Sequence, residues 1–180
     1  MKWLLYGLGA VVAVVMVAVL VLLMLGGGRG ESRLQATIEI ARPASVVFDW
    51  ITRPSRVQSW VGWLIEIQSL SPGEQTIGSR EVWVMEDRNN NNQRMEIESE
   101  IVGLDQNRVL STRLHSPGGF EGTVTYSLEP MGADRTRLQY LGDYKFEHWL
   151  AKLLEPVISR SAQQKLEEDL ARLKQLAEAE

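Results

Sequence analysis

Cysteine is absent from the 180-residue chain, which excludes a disulfide framework, a thiolate metal site and a cysteine nucleophile and leaves the redox compartment open. Histidine is scarce. His115 falls at an expected strand end and His148 at the start of the last expected helix; neither stands in an H-E-x-x-H or other ligand spacing, so surface or capping roles suit them better than a two-His metal site. No G-x-S-x-G supports a Ser-His-Asp arrangement. A basic face is missing too. Lys plus Arg number 19 against 23 for Asp plus Glu, a balance that argues against nucleic acid, whose phosphates need neutralising. No metal or cofactor is expected.

What the chain has in excess is one long apolar run. Residues 3–25 carry no charge, and at ~1.5 Å per residue they make roughly 34 Å of helix, enough to cross a hydrocarbon core of about 30 Å. The run exceeds the roughly 7 to 15 residues of a signal-peptide core, and Gly26-Gly27-Gly28-Arg29 is a poor cleavage site. An uncleaved transmembrane anchor is therefore expected, with Trp3 at the membrane interface. Basic residues are nearly balanced across it, and the short tail before it resembles a signal anchor, which leaves the domain outside the cytoplasm. Gly9 and Ala13 have the spacing of close-packed membrane helices, though small residues scattered in an apolar helix read the same way. The expected organisation is an anchor over 1–25, a flexible Gly-rich linker over 26–33 and one domain over 34–180.

Within that domain, residues 34–40 alternate as a half-buried strand. Pro43 opens a short helix whose stripe is Val46, Val47, Trp50 and Ile51, and a second helical turn covers 55–59. A meander follows, with strands expected over 64–70, 79–87, 93–104, 108–115, 122–130 and 135–144. The Asn-rich stretch 88–92 is read as a loop. Six strands joined by short turns form an antiparallel sheet. A helix over about 147–177 closes the chain. Leu150, Leu153, Leu154, Val157, Ile158, Leu166, Leu170 and Leu173 make its apolar stripe, and Pro156 removes one backbone donor, which predicts a kink.

Strand, two short helices, six antiparallel strands and a long terminal helix: this order resembles the helix-grip fold of the START-like (SRPBCC) superfamily, and its polyketide cyclase/dehydrase-like branch above all. The residues that carry the resemblance are the strand-Pro-helix opening over 36–51, Trp60 and Trp63 after it, Gly78 before a strand, the stretches 122–130 and 136–138, and the terminal helix. The fold class is accordingly α+β, a curved antiparallel sheet wrapped around a long C-terminal helix and preceded by a single transmembrane helix. The resemblance implies a cavity between sheet and helix, used by relatives for lipids, sterols, quinones, polyketides and plant hormones, and sometimes for aromatase or cyclase reactions. Fold alone does not choose among these.

Such a cavity would be lined from the strands by Trp83, Met85, Met95 and Ile97, and further along by Leu110, Leu114, Tyr126 and Tyr140. Val157 would face it from the helix, and Trp60 and Trp63 would border its entrance or simply pack. Glu81 is the one weak catalytic candidate. It shares strand parity with Trp83 and Met85; if that parity faces the cavity, desolvation would raise its pKa and suit it to acid/base work or to hydrogen-bonding a ligand. If Val82 and Val84 face inward instead, Glu81 faces water, and register decides. Three functions follow. The first is a membrane-anchored binder of a hydrophobic small molecule, a lipid or isoprenoid-like compound taken from the bilayer. The second is a cyclase/dehydrase-like enzyme using Glu81, Tyr126 or Tyr140. The third is an interaction domain without a ligand.

Overall fold

Alternating strands need a partner layer for their apolar faces, and the long terminal helix supplies it. The structure is a computed structural model and describes residues 2–24, 28–87 and 93–180. Its elements in chain order are α1 (Lys2–Met24), β1 (Glu31–Ile40), α2 (Ala44–Thr52), α3 (Pro54–Trp60), β2 (Leu64–Ser69), β3 (Arg80–Asp87), β4 (Gln93–Asp105), β5 (Val109–Ser116), β6 (Phe120–Pro130), β7 (Thr136–Phe146) and α4 (Trp149–Ala179). The seven strands form one antiparallel sheet in the order β1-β7-β6-β5-β4-β3-β2, with α4 packed across β1 and β7. This is the α+β helix-grip arrangement.

Local chemistry explains the junctions. Pro43 stands in extended backbone ahead of α2, whose Val47, Phe48, Trp50 and Ile51 are buried. Arg53 is pushed to an extended conformation before Pro54, as residues preceding proline are, and Pro54 opens α3, where its missing N–H costs nothing. A bulge between Ile101 and Gly103 puts Val102 out of register, so that Leu104 returns to the inner face opposite Leu110. The core lies between the sheet, α2 and the C-terminal half of α4; Ile40, Val47, Leu138, Leu170 and Leu173 are completely enclosed there, each contributing about 1.5–3 kcal/mol by leaving water.

Three expectations need correction. β1 starts at Glu31, not Leu34, and pairs from Glu31 opposite Lys145 onward; Ser32 on its inner face broke the apolar alternation. Consequently the stretch from Gly28 to Gly30 is no free coil. Gly28 N–H donates to the Lys152 carbonyl at 2.6 Å and Phe146 N–H donates to the Gly30 carbonyl at 2.7 Å. The Lys152 carbonyl is the one that Pro156, lacking an N–H, cannot bond within α4, so the helix runs on through Pro156 while Gly28 takes the freed acceptor.

The third correction concerns the anchor. Among the described residues no helix is long and apolar enough to cross a membrane, which overturns the expected single-pass localisation with the domain outside the cytoplasm. The readings of Trp3 and Gly9, of residue 25 at the end of the anchor, of residues 26 and 27 in the linker and of the loop 88–92 lie outside what is described.

Candidate functional site

Register settles the parity of β3. Glu81, Trp83 and Met85 stand opposite Ser99, Ile97 and Met95 of β4, and Trp83, Met85 and Ile97 belong with Leu110, Leu114, Tyr126 and Tyr140 around the core. Glu81 therefore faces inward and Val82 and Val84 lie on the other face, where Val84 is nonetheless buried. Both carboxylate oxygens of Glu81 are engaged. Gln75 Nε2 donates to Oε1 at 2.9 Å and Trp83 Nε1 donates to Oε2 at 3.0 Å. Around them is an interior cleft with Thr52, Gln75, Ser99 and Thr112 as its polar walls and Ile51, Val57, Ile67, Trp83, Ile101 and Leu110 as its apolar ones. Its free volume is about 20 Å³, room for about one water.

Three tyrosines line the other end of the same face. Tyr126 and Tyr140 meet edge to face with ring centroids 5.2 Å apart, and the hydroxyls of Tyr140 and Tyr144 are hydrogen-bonded to each other. Two glycines make room for the rings. A Cβ on Gly142 would stand 2.7 Å from Tyr144 Cε2 and 3.0 Å from Tyr140 Cε1, and one on Gly122 would stand 2.7 Å from Tyr144 Cδ1. Burial pushes all three phenols above their ordinary pKa, Tyr140 well above, because the phenolate would lose its hydration. They stay protonated at neutral pH, as hydrogen-bond donors. Opposite Tyr144 in register, Ser32 is tied to α4, where Ser159 Oγ lies 2.6 Å from Ser32 Oγ and 2.7 Å from Glu155 Oε1.

Not every residue expected at the cavity reaches it. Met95 is 39 % exposed and Val157 57 % exposed, and at the start of α4 Trp149 is 68 % exposed. Trp60 is buried but engaged, its indole donating to the Trp50 carbonyl at 3.0 Å. Trp63 is half-buried, with the Lys165 ammonium 5.7 Å from its ring centre. Lys165 also pairs with Asp169, which accepts from Gly62 N–H at 3.1 Å. His148 caps α4, its Nδ1 accepting from Leu150 N–H at 3.3 Å, and His115 is exposed. Among the described residues no three His, Asp or Glu side chains gather to hold a metal ion.

Ser99, Thr112, Gln75 and Tyr144 join the site without having been singled out as site residues. The only signal for Tyr144 was Gly142 two positions before it, which takes its meaning from the register with Gly122. Larger hollows lie outside that cleft, the first of them reaching the tyrosine end of the face at Ser32, Leu114 and Tyr144. One of about 740 Å³ is walled mainly by outward charges, Arg33, Asp143, Glu121 and Lys145 among them, which already pair with one another; another of about 410 Å³ holds Arg42, Arg56 and Glu180.

The model of one family, described as polyketide cyclase / dehydrase and lipid transport, matches residues 32–178. Among solved structures, a START superfamily protein from Mycobacterium smegmatis is similar at 18 % identity and TM-score 0.68, over 82 % of this chain and 97 % of that one. The Zhui aromatase/cyclase from Streptomyces sp. R1128 is similar at 16 % identity and TM-score 0.65, over 82 % and 94 %. Truncated norcoclaurine synthase from Thalictrum flavum follows the same fold at 13 % identity and TM-score 0.59, over 81 % and 92 %. Identities this low establish the shared fold alone. No curated protein matches the chain.

Proposed function

Since the chain belongs to the polyketide cyclase / dehydrase and lipid transport family, we propose that it binds a hydrophobic small molecule, a lipid or isoprenoid-like compound, between the inner face of the sheet and α4. The observation that carries this reading is the composition of that face. Apolar side chains from β1 to β7 converge on it, and only a few hydrogen-bonding groups interrupt them, Glu81 at one end and the tyrosine cluster at the other, as in small-molecule sites. The cleft is closed down to about 20 Å³, so a ligand enters by displacing a wall. Its walls come from α2, α3, β2 to β5 and the loop before β3 that carries Gln75 and Ser79, and that loop is the wall least enclosed, with Ile77 65 % exposed.

Nile red, an uncharged apolar dye, tests the reading directly. One dye per chain should bind saturably, and Ser99→Phe, which fills the cleft from β4, should remove that component while circular dichroism stays unchanged. Uptake that never saturates and ignores the substitution would contradict it, since the exposed apolar side chains of α1 take up dye in that manner.

A second reading has its own observation. Three protonated phenols on the apolar inner face can donate to a carbonyl oxygen as its charge grows, which suits a cyclase/dehydrase-like reaction on a bound apolar substrate. Tyr140→Phe would then abolish turnover of a polyketone substrate and leave its affinity within a few-fold; an equal loss of both would leave Tyr140 a binding residue only.

A further inference from the structure

The polar groups of the cleft differ in sign as well as position, and this bears on which end group a ligand carries. Among the described side chains that the sheet turns inward, Glu81 alone bears a charge, and no described cation answers it. Its partners are neutral N–H donors, Gln75 Nε2 and Trp83 Nε1. The partly buried ammonium of α4, Lys165, is already held by Asp169 and set over the Trp63 ring. Glu155, the other acid on the inner side of α4, is bonded to Ser159. The one charge on the lining of the cleft is therefore negative, and a like-charged ligand head would be repelled there. Ser99 and Thr112, which wall the same cleft, can accept or donate as a partner requires.

We propose that the ligand is an apolar molecule ending in a hydrogen-bond donor, an alcohol or an amine, which docks that end on the Glu81 carboxylate, and that anionic lipids such as free fatty acids are rejected. This rests on the binding reading above. It adds selection by charge: a carboxylate carboxyl-to-carboxyl with Glu81 would lose its hydration without gaining a donor, whereas a hydroxyl or ammonium completes the coordination of an oxygen that now has a single partner.

The test is a titration of the full chain by tryptophan emission, Trp83 lying against the site, with dodecan-1-ol, dodecylamine and dodecanoate at pH 7, each below its micellar range. Dodecanol and dodecylamine should saturate with Kd at least about tenfold below that of dodecanoate, a gap of ~1.4 kcal/mol. Glu81→Gln should bring dodecylamine and dodecanoate to within about threefold of each other, because it removes the charge and keeps the shape. Equal affinity for all three in the wild type would overturn the selection by charge and leave apolar binding standing. No saturable response to any of them would overturn the binding reading itself. The wild-type ranking decides the matter even where the variant fails to fold.

Discussion

Gly142 and Tyr140 show how tightly single residues specify the interior. A Cβ at Gly142 would meet two tyrosine rings at 2.7 and 3.0 Å, so Gly142→Ala should lower stability by about 1–3 kcal/mol through overpacking, read as a fall in Tm; an unchanged Tm would mean the rings have slack. Tyr140→Phe leaves the Tyr144 hydroxyl without its partner and should cost about 1–3 kcal/mol, while the double change to Phe at 140 and 144 should cost less than the sum of the singles. Strict additivity in denaturant unfolding would show the two hydroxyls to be uncoupled. The phenols also set a pH response. Their folded pKa values are raised by burial, so the stability they contribute is fully present below the unfolded value of about 10 and is lost as pH rises beyond it, because the unfolded chain then releases protons the folded one retains. Stability should fall steeply above pH ~10, with the absorbance of these three phenolates growing in step with unfolding; more than one phenolate per chain in the folded state at pH 10 would contradict the burial. The inward parity of Glu81 was not legible in the sequence. Both Glu81-Trp83-Met85 and Val82-Val84 can fill a core face, and the choice is made by β4, whose own Ile97, Ser99 and Ile101 are unambiguous.

Elements were easier to read than their ends. Strong alternation in β4 to β7 and the apolar stripe of α4 gave the strands and the long helix at nearly their observed bounds, whereas β1 was read three residues short because Ser32 occupies an inner position and satisfies itself on Ser159. Pro156, expected from the sequence to kink α4, also frees the Lys152 carbonyl for Gly28. Pro156→Ala would restore an N–H at that point and compete for the acceptor. The Gly28 amide should then exchange with solvent several-fold faster in hydrogen-exchange NMR, about what losing one hydrogen bond implies, and unchanged protection would show that Gly28 is held by something else. A comparable tie joins the Gly62–Trp63 turn to α4 through Asp169, whose carboxylate is almost wholly buried and accepts from both Gly62 N–H and Lys165. Asp169→Ala strands that ammonium and that amide, and should cost about 3 kcal/mol or more with a red shift of Trp63 emission. Neither link has a local sequence signal, since each joins residues about a hundred positions apart.

At the level of the whole molecule, the order of elements carries the fold, and residues 32–178 carry the family. The interior is apolar, lightly dotted with hydrogen-bonding groups and narrowed to about 20 Å³ around Glu81, where the loop carrying Gln75 and Ser79 forms the most exposed wall. The expected cavity between sheet and helix is thus a narrow cleft of about 20 Å³, and its size was invisible in the sequence because side-chain volume across seven strands, not pattern, decides what space remains. The most direct measurement is native mass spectrometry of the full chain after incubation with an organism-wide lipid extract, followed by solvent extraction of the bound fraction. Binding in the interior predicts one reproducible adduct per chain, apolar and uncharged or basic at its head, and absent from Ser99→Phe. A chain that keeps its bare mass, or an adduct that Ser99→Phe retains, would contradict it.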